Sequence, residues 1–237
     1  MTGLILCLLL QADDAAAKTA LDKFAKDYKA KESTARAVAV EELAKTGHLK
    51  VLAKLAAVLA STDAKDVRTA AAKGLGIVRE DRDLNRKAID YLDRCIPPNA
   101  NDASIIAVIF DVLESMAVGN GVIIFKKHMI STAIPVAKGT VQAAGYTKDK
   151  RFVLPLVKLL EWVEATARQA TNTGPGGRPV VGGGIPGTGG VPDPDAPKRA
   201  RELSPAIHTA LEACTSVTQK STKDWLDWFR QNQDAYK

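Results

Sequence analysis

Residues 63–76 read Asp-Ala-Lys-Asp-Val-Arg-Thr-Ala-Ala-Ala-Lys-Gly-Leu-Gly, and this stretch decides the fold class. Asp63 is an expected N-cap, because a short acidic side chain can accept hydrogen bonds from the first backbone N–H groups of a helix. Asp66 would then lie in the first turn, where the helix dipole favours a carboxylate. The alanine run has the highest intrinsic helix propensity. The stretch therefore predicts a helix over residues 64–79.

The same pattern occurs 32 residues earlier in the chain. Arg36 and Leu43 precede Arg68 and Leu75 by that offset. A fixed offset indicates stacked repeats, because one amphipathic helix pair cannot bury its apolar face alone. The predicted fold is all-α: an α-solenoid of about five stacked antiparallel helix pairs.

The composition agrees with helices rather than strands. The chain has 237 residues, 46% of them hydrophobic and 5% aromatic, and its net charge is +6. The charges are spread over the helices, whereas a nucleic-acid interface needs basic residues clustered on one face. This distribution disfavours nucleic acid as the partner.

Apolar residues at helical spacing predict further helices along the chain. The predicted segments are 14–29, 33–46, 49–60, 84–96, 103–118, 149–170, 198–216 and 222–235. Ser33 is the expected N-cap of the second segment, and Gly47 is its expected stop. Residues 119–147 are interpreted as a helix continuing to Ala144, although Val122 to Phe125 has strand propensity. Pro135 would kink this helix or mark a new start.

The N-terminus carries an unbroken apolar run, Leu4 to Leu10. This run is too short to span a bilayer as a helix. Residues 1–12 are a possible signal peptide, which predicts an exported or periplasmic protein. The alternative is a first helix whose apolar end covers the core, in a cytoplasmic protein.

Residues 172–197 hold nine of the 17 glycines and six of the 11 prolines. Such a segment buries too little apolar surface to offset the entropy of ordering it. We predict a flexible insertion here, between helical repeats at residues 13–171 and a C-terminal helical pair at residues 198–237 that caps the same domain.

Two short motifs have a literal match but the wrong context. Residues 182–187 fit G-x-G-x-x-G, yet no strand precedes them and Pro186 removes a donor N–H, so dinucleotide binding is not predicted. Asp193 and Asp195 flank a proline, and a calcium loop needs more oxygen ligands.

The histidines and cysteines do not form a recognisable site. His48, His128 and His208 lie far apart, outside any metal-binding motif, and are interpreted as helix-surface or cap residues. Cys95 and Cys214 are expected to be buried free thiols, with a disulfide between them left open. We predict no catalytic, cofactor or metal-binding residues, and the sequence does not identify the partner-binding residues.

Trp225, Trp228 and Phe229 lie on one predicted helix near the C-terminus. They form either an exposed aromatic patch for a partner or the terminal cover that a repeat array needs over its last apolar face. The second interpretation fits the position of the helix at the end of the chain.

Two segments resemble a known family. Residues 63–76 resemble the second helix of HEAT repeats. Residues 210–229 are similar to the ending of HEAT-repeat proteins of planctomycete-type bacteria, in which an Ala-Leu-x-x-x-Thr-Gly helix leads into Asp-x-Trp-x-x-Trp-Trp. This chain has Ser216 and Phe229 where Gly and Trp are usual, and its 32-residue offset is shorter than the usual HEAT period of about 40–47 residues.

The resemblance implies an α-solenoid that binds another protein, often in an exported setting. It also implies that Val67 packs inward and that Arg68 bonds a neighbouring turn, so both are structural residues. The predicted function is a non-catalytic protein-interaction scaffold. The alternatives are an intracellular adaptor, a nucleic-acid-binding protein with a basic inner groove, and a HEAT-like lyase-type enzyme.

Overall fold

The computed structural model describes residues 2–116, 121–171 and 195–236. Within these residues all regular structure is helical, which confirms the predicted all-α class. The helices are α1 Thr2–Asp27, α2 Ser33–Ala44, α3 Leu49–Leu59, α4 Lys65–Leu75, α5 Arg82–Cys95, α6 Ala103–Met116, α7 Gly121–Met129, α8 Ile134–Thr147, α9 Val153–Thr171, α10 Ala196–Thr215 and α11 Thr222–Asn232.

The chain divides into two compact units, Met1–Val118 and Gly119–Lys237. The division falls between α6 and α7, inside the span predicted as one helical array at residues 13–171. Most of the predicted insertion, residues 172–194, lies outside the described residues. Its last two residues, 196 and 197, already belong to α10.

The first unit arranges its helices in two rows. In one row α3 packs against both α1 and α5, and in the other α4 packs against both α2 and α6. Contacts between α1 and α2, α3 and α4, and α5 and α6 join the rows. The apolar side of α6 is buried at Ile105, Ile106, Ile109 and Phe110.

Two predicted helix caps in this unit are wrong by one position. The N-cap residue of α4 is Ala64, not Asp63, and the N-cap residue of α2 is Glu32, not Ser33. The Asp63 carboxylate accepts the backbone N–H of Ala64 at 2.7 Å and hydrogen bonds from Tyr28 and Arg36. Gly47 does adopt the left-handed conformation expected at a helix stop, with φ 58°.

Asp63 joins the first helix pair to the second. Arg36, near the start of α2, donates from Nη2 to Asp63 Oδ1 at 2.7 Å and from Nε to Oδ2 at 3.2 Å. The hydroxyl of Tyr28 donates to the same carboxylate. The Arg36 hydrogen bonds are the largest influence that lowers the pKa of Asp63, to about 2. The carboxylate is therefore ionised, and one of its contacts is a bidentate guanidinium pair.

Arg68 repeats this connection one pair further along. It donates from Nη2 to Asp102 Oδ2 at 2.7 Å and from Nη1 to Asn99 Oδ1 at 2.8 Å, both in the turn between α5 and α6. Its Nε also reaches the carbonyl oxygen of Asp63 at 3.0 Å. Val67 beside it is fully buried. Both roles agree with what the sequence implied for this Val-Arg pair.

Asn99 is a buried polar residue that supports the same turn. Its Nδ2 group donates to the carbonyl oxygens of Cys95 at 2.8 Å and Leu59 at 3.1 Å, while its Oδ1 accepts from Arg68. Because donor and acceptor are both satisfied, this amide is buried without the penalty of an unpaired polar group.

The second unit also places alternate helices side by side. Here α8 packs against α7 and α10, while α9 packs against α10 and α11. The helix predicted to continue from residue 119 to Ala144 is instead two helices, with a break at residues 130–133. Pro135 lies in the first turn of α8, where its missing N–H has no helical partner to lose.

Gly145 sets the distance between α8 and α10. A Cβ atom at this position would lie 2.9 Å from Ala210 Cα, which is backbone and cannot rotate away. The two helices therefore approach more closely than any larger residue would allow.

The apolar run at Leu4 to Leu10 forms part of α1. In the described part of the chain, no helix combines the length and the apolarity that a bilayer crossing requires. Export of the protein stays a prediction.

A candidate binding groove

The second unit contains a groove between the last turn of α7 and the first turns of α9. Its volume is about 440 Å³, within the range of roughly 300–1,000 Å³ that is usual for ligand sites. Its lining includes three cationic and three apolar side chains: Lys126, Arg151, Lys158, Met129, Leu154 and Leu159. The cations are exposed, whereas Met129 and Leu159 are buried and form the floor.

The helical period of α9 produces this arrangement. One side of the helix is buried, at Val153, Leu156, Val157, Leu160 and Val163. Leu154 and Lys158, four residues apart, share the other face, and Arg151 lines the same groove from the short 3-10 turn just before α9. Pro155 lies in the first turn, where it breaks no helical hydrogen bond.

Arg151 is held in place by Asp149. Arg151 donates from Nη2 to Asp149 Oδ2 at 2.5 Å and from Nε to both carboxylate oxygens at 2.9 and 3.1 Å. Asp149 also accepts the backbone N–H of Arg151 at 2.8 Å. These hydrogen bonds, with a smaller influence of Lys126, hold the pKa of Asp149 below its usual range. Asp149 offsets part of the positive charge of Arg151 and Lys126, and with Lys158 added the groove keeps a positive rim.

The C-terminal aromatic residues close one end of the groove. Tyr236 lines it and packs against Trp228 at 5.6 Å between ring centroids, and Trp228 meets Trp225 edge to face at 5.5 Å. Trp225 is buried, while Trp228 and Phe229 are half-buried. Burial of Trp225 agrees with a structural role, while its role as the terminal cover of a repeat array stays a prediction. Tyr236 is a groove residue that the sequence analysis did not identify.

The three histidines lie at separate places, as predicted. His48 caps α3 by accepting the backbone N–H of Lys50 through Nδ1 at 3.2 Å. The predicted surface or cap role is wrong for His128: it is buried, because it lies on the same inward face of α7 as Phe125 and Met129. His208 Nε2 lies 3.2 Å from Thr222 Oγ1. Among the described residues, no three His, Cys, Asp or Glu side chains are grouped closely enough to hold a metal ion.

Cys95 and Cys214 are free and buried. Each thiol donates a weak hydrogen bond to a backbone carbonyl, Cys95 to Ala56 at 3.5 Å and Cys214 to Ala144 at 3.6 Å. Burial raises the pKa of both thiols to about 11, so thiolate is scarce at neutral pH. The glycine-rich segment 182–187 and Asp193 lie outside the described residues.

The basic rim of the groove was missed from the sequence. Arg151 and Lys158 lie seven residues apart with Leu154 between them, which is a detectable signal on a helix. Lys126, however, comes from the region interpreted as one continuous helix, where no groove was expected.

Comparison with protein-family models, with curated proteins and with solved structures gave no match for this chain. The resemblance to HEAT repeats therefore rests on the quoted residues and stays a prediction.

Proposed function

We propose that this protein is a non-catalytic protein-interaction scaffold, and that the groove between α7 and α9 binds a segment of another protein. The observation that carries the proposal is the groove itself, with buried Met129 and Leu159 below and exposed Lys126 and Lys158 above. Half-buried Ile130, Leu154 and Pro155 also line the groove, and an apolar centre surrounded by a polar rim is typical of protein-binding surfaces.

The packing of the helices supports a repeat-built scaffold. In the first unit, two rows of helices are cross-connected by the Arg36 and Arg68 hydrogen bonds, and each helix contacts its neighbours in the row. Such nearest-neighbour packing is characteristic of α-solenoids. We extend the proposal to a HEAT-like solenoid that acts in an exported or periplasmic setting, with a cytoplasmic adaptor as the alternative.

Site-specific photo-crosslinking tests this function. A photoreactive amino acid replaces Leu154 inside the groove, and in a matched control it replaces Lys198 on the exposed face of α10. We expect a discrete protein adduct from the groove position alone, whose protein, once identified and purified, binds the wild-type chain directly.

Two results would contradict the proposal. One is the same set of adducts from both positions, and the other is an adduct with nucleic acid instead of protein. Nucleic-acid binding would also show as retention on DNA that weakens steeply as salt increases.

A further inference from the structure

The groove has a charge and a spacing that specify the chemistry of its occupant. Lys126, Arg151 and Lys158 surround an apolar floor, with Asp149 as the neighbouring carboxylate. The chain as a whole carries a net charge of +6. An acidic segment would therefore be attracted to this rim, and a basic one repelled.

Spacing along α9 adds a geometric requirement. Arg151 lies in the short 3-10 turn just before α9, and Lys158 lies on α9 seven residues later with Leu154 between them, so their backbone positions are separated by roughly 10–12 Å. A helix that lies alongside α9 offers two carboxylates at the same separation when they too are seven residues apart. In the bound helix, the side chains three and four residues after the first carboxylate then face Leu154.

We propose that the groove binds an acidic amphipathic helix, with carboxylates seven residues apart and apolar side chains between them at the third and fourth positions. The carboxylates pair with Arg151 and Lys158, and Lys126 faces the helix from the α7 side. The apolar side chains contact Leu154 and the floor at Met129. This inference rests on the proposed protein-binding function and names the partner chemistry.

The fixed geometry of Arg151 favours this role. Asp149 holds the guanidinium through Nε and Nη2, which leaves its remaining N–H groups to donate to a partner. Lys158 has no such planar constraint and can follow the carboxylate through side-chain rotation. One fixed and one adaptable cation together define the register of the bound helix.

Selection from a peptide library tests the inference. A displayed library of 18-residue helical peptides, randomised over two turns on one face, is selected on the whole protein. We expect enrichment of Glu or Asp at positions seven residues apart, with Leu, Ile, Met or Phe at the third and fourth positions between them. The best peptide is then synthesised with a fluorescent label, and its affinity is measured by anisotropy.

Two double variants test whether the rim is the binding site. Lys126→Glu with Lys158→Glu reverses two charges of the rim, and Lys198→Glu with Lys223→Glu reverses two exposed charges elsewhere in the same unit. We expect the rim variant to bind the peptide on the order of tenfold more weakly, and the control variant to bind normally. Binding to the wild-type protein should weaken as salt increases. Circular dichroism checks that both variants keep their helical content.

The outcomes separate the two levels of the proposal. The acidic-helix inference is overturned if the enriched peptides are neutral or basic. It is also overturned if an acidic peptide binds the rim variant as tightly as the wild type. Neither result contradicts the scaffold function. A library that yields no groove-dependent peptide, together with no adduct at Leu154, overturns both. A third outcome concerns anionic lipid. If no peptide is selected, and the wild type but not the Lys126/Lys158 variant sediments with phosphatidylglycerol vesicles, the rim binds anionic lipid and the acidic-helix inference is overturned.

Discussion

Replacing Asp63 with Asn tests the polar connection between the first two helix pairs. The side chain of Asp63 is 15% exposed and accepts two hydrogen bonds from Arg36 and one from Tyr28. With the Arg36 hydrogen bonds as the largest influence, its pKa falls from 3.8 to about 2. Since one pKa unit corresponds to about 1.4 kcal/mol, the folded state gains about 2 kcal/mol from the ionised carboxylate at pH 7.

The sign of the shift gives the pH dependence. The pKa of Asp63 is lower in the folded chain than in the unfolded chain, so the full stabilisation is present above the unfolded value. It is lost as the pH falls through the folded value. At pH 3 about half of the stabilisation should remain. The free-energy difference between the wild type and Asp63→Asn should therefore shrink from about 2 to about 1 kcal/mol between pH 7 and pH 3.

Urea denaturation followed by circular dichroism measures this difference at both pH values. Hydrogen exchange, measured on peptides from α2, α3 and α4, reports the stability of these helices separately. The matched control is Asp227→Asn, which removes the same charge from an exposed pair with Arg230 on α11. Exposed pairs contribute little, so a much smaller loss is expected.

Two results would refute the reasoning about Asp63. If Asp63→Asn and Asp227→Asn lower the free energy of unfolding equally, the buried geometry of the first pair has no special effect. If the deficit of Asp63→Asn does not change between pH 7 and pH 3, the stabilisation does not come from the ionised carboxylate.

Three further substitutions or measurements follow from the structure. Gly145→Ala should lower the midpoint temperature of thermal unfolding. Overpacking against α10 costs about 1–3 kcal/mol, which outweighs a helix-propensity gain of at most about 1 kcal/mol. A midpoint equal to or above that of the wild type would contradict this. In a Cys7→Ser background, Cys95 and Cys214 should react with a disulfide reagent far more slowly in the native protein than in urea, and immediate native reaction would show that burial does not protect them. Burial also lowers the pKa of His208, so the free energy of unfolding should fall as the pH drops from 7 towards 5. In His208→Gln this pH dependence should be weaker. An NMR titration that gives His208 a midpoint above pH 6.5 would contradict the shift.

Helices and their buried faces could be predicted because their signal is local. Leu156 and Leu160 lie four residues apart, and this spacing alone identifies the buried side of α9. The chain breaks at Gly47 and near Pro135 are equally local, since each depends on the conformational range of a single residue.

Asp63 shows where local reasoning stops. Its type and position suit an N-cap, but Arg36 and Tyr28 reach it from segments 27 and 35 residues earlier in the chain. Its carboxylate binds the Arg36 guanidinium in a bidentate pair and also accepts the backbone N–H of Ala64 at 2.7 Å, while α4 begins after Ala64. Only the packing of α1 and α2 against the turn before α4 determines this outcome.

The groove could not be predicted for a related reason. Its rim combines Lys158 on α9 and Arg151 in the turn before α9 with Lys126 on α7, and the sequence does not say that α7 ends beside the start of α9. Tyr236 joins the groove because the residues after α11 turn back towards α9, which is a tertiary event with no local pattern.

The connections made by Arg36 and Arg68 give the first unit a direction. The pair formed by α3 and α4 receives a guanidinium at Asp63 from the pair before it, and extends one from Arg68 to the pair after it. The α3–α4 pair thus has a different polar group at each end, as in a head-to-tail polymer, which can lengthen without a limit set by symmetry. A gene duplication that copied residues 49–75 with their flanking turns would insert a pair already matched at both ends. We therefore expect the first unit to accept one more such pair, in evolution or by design, without a new core.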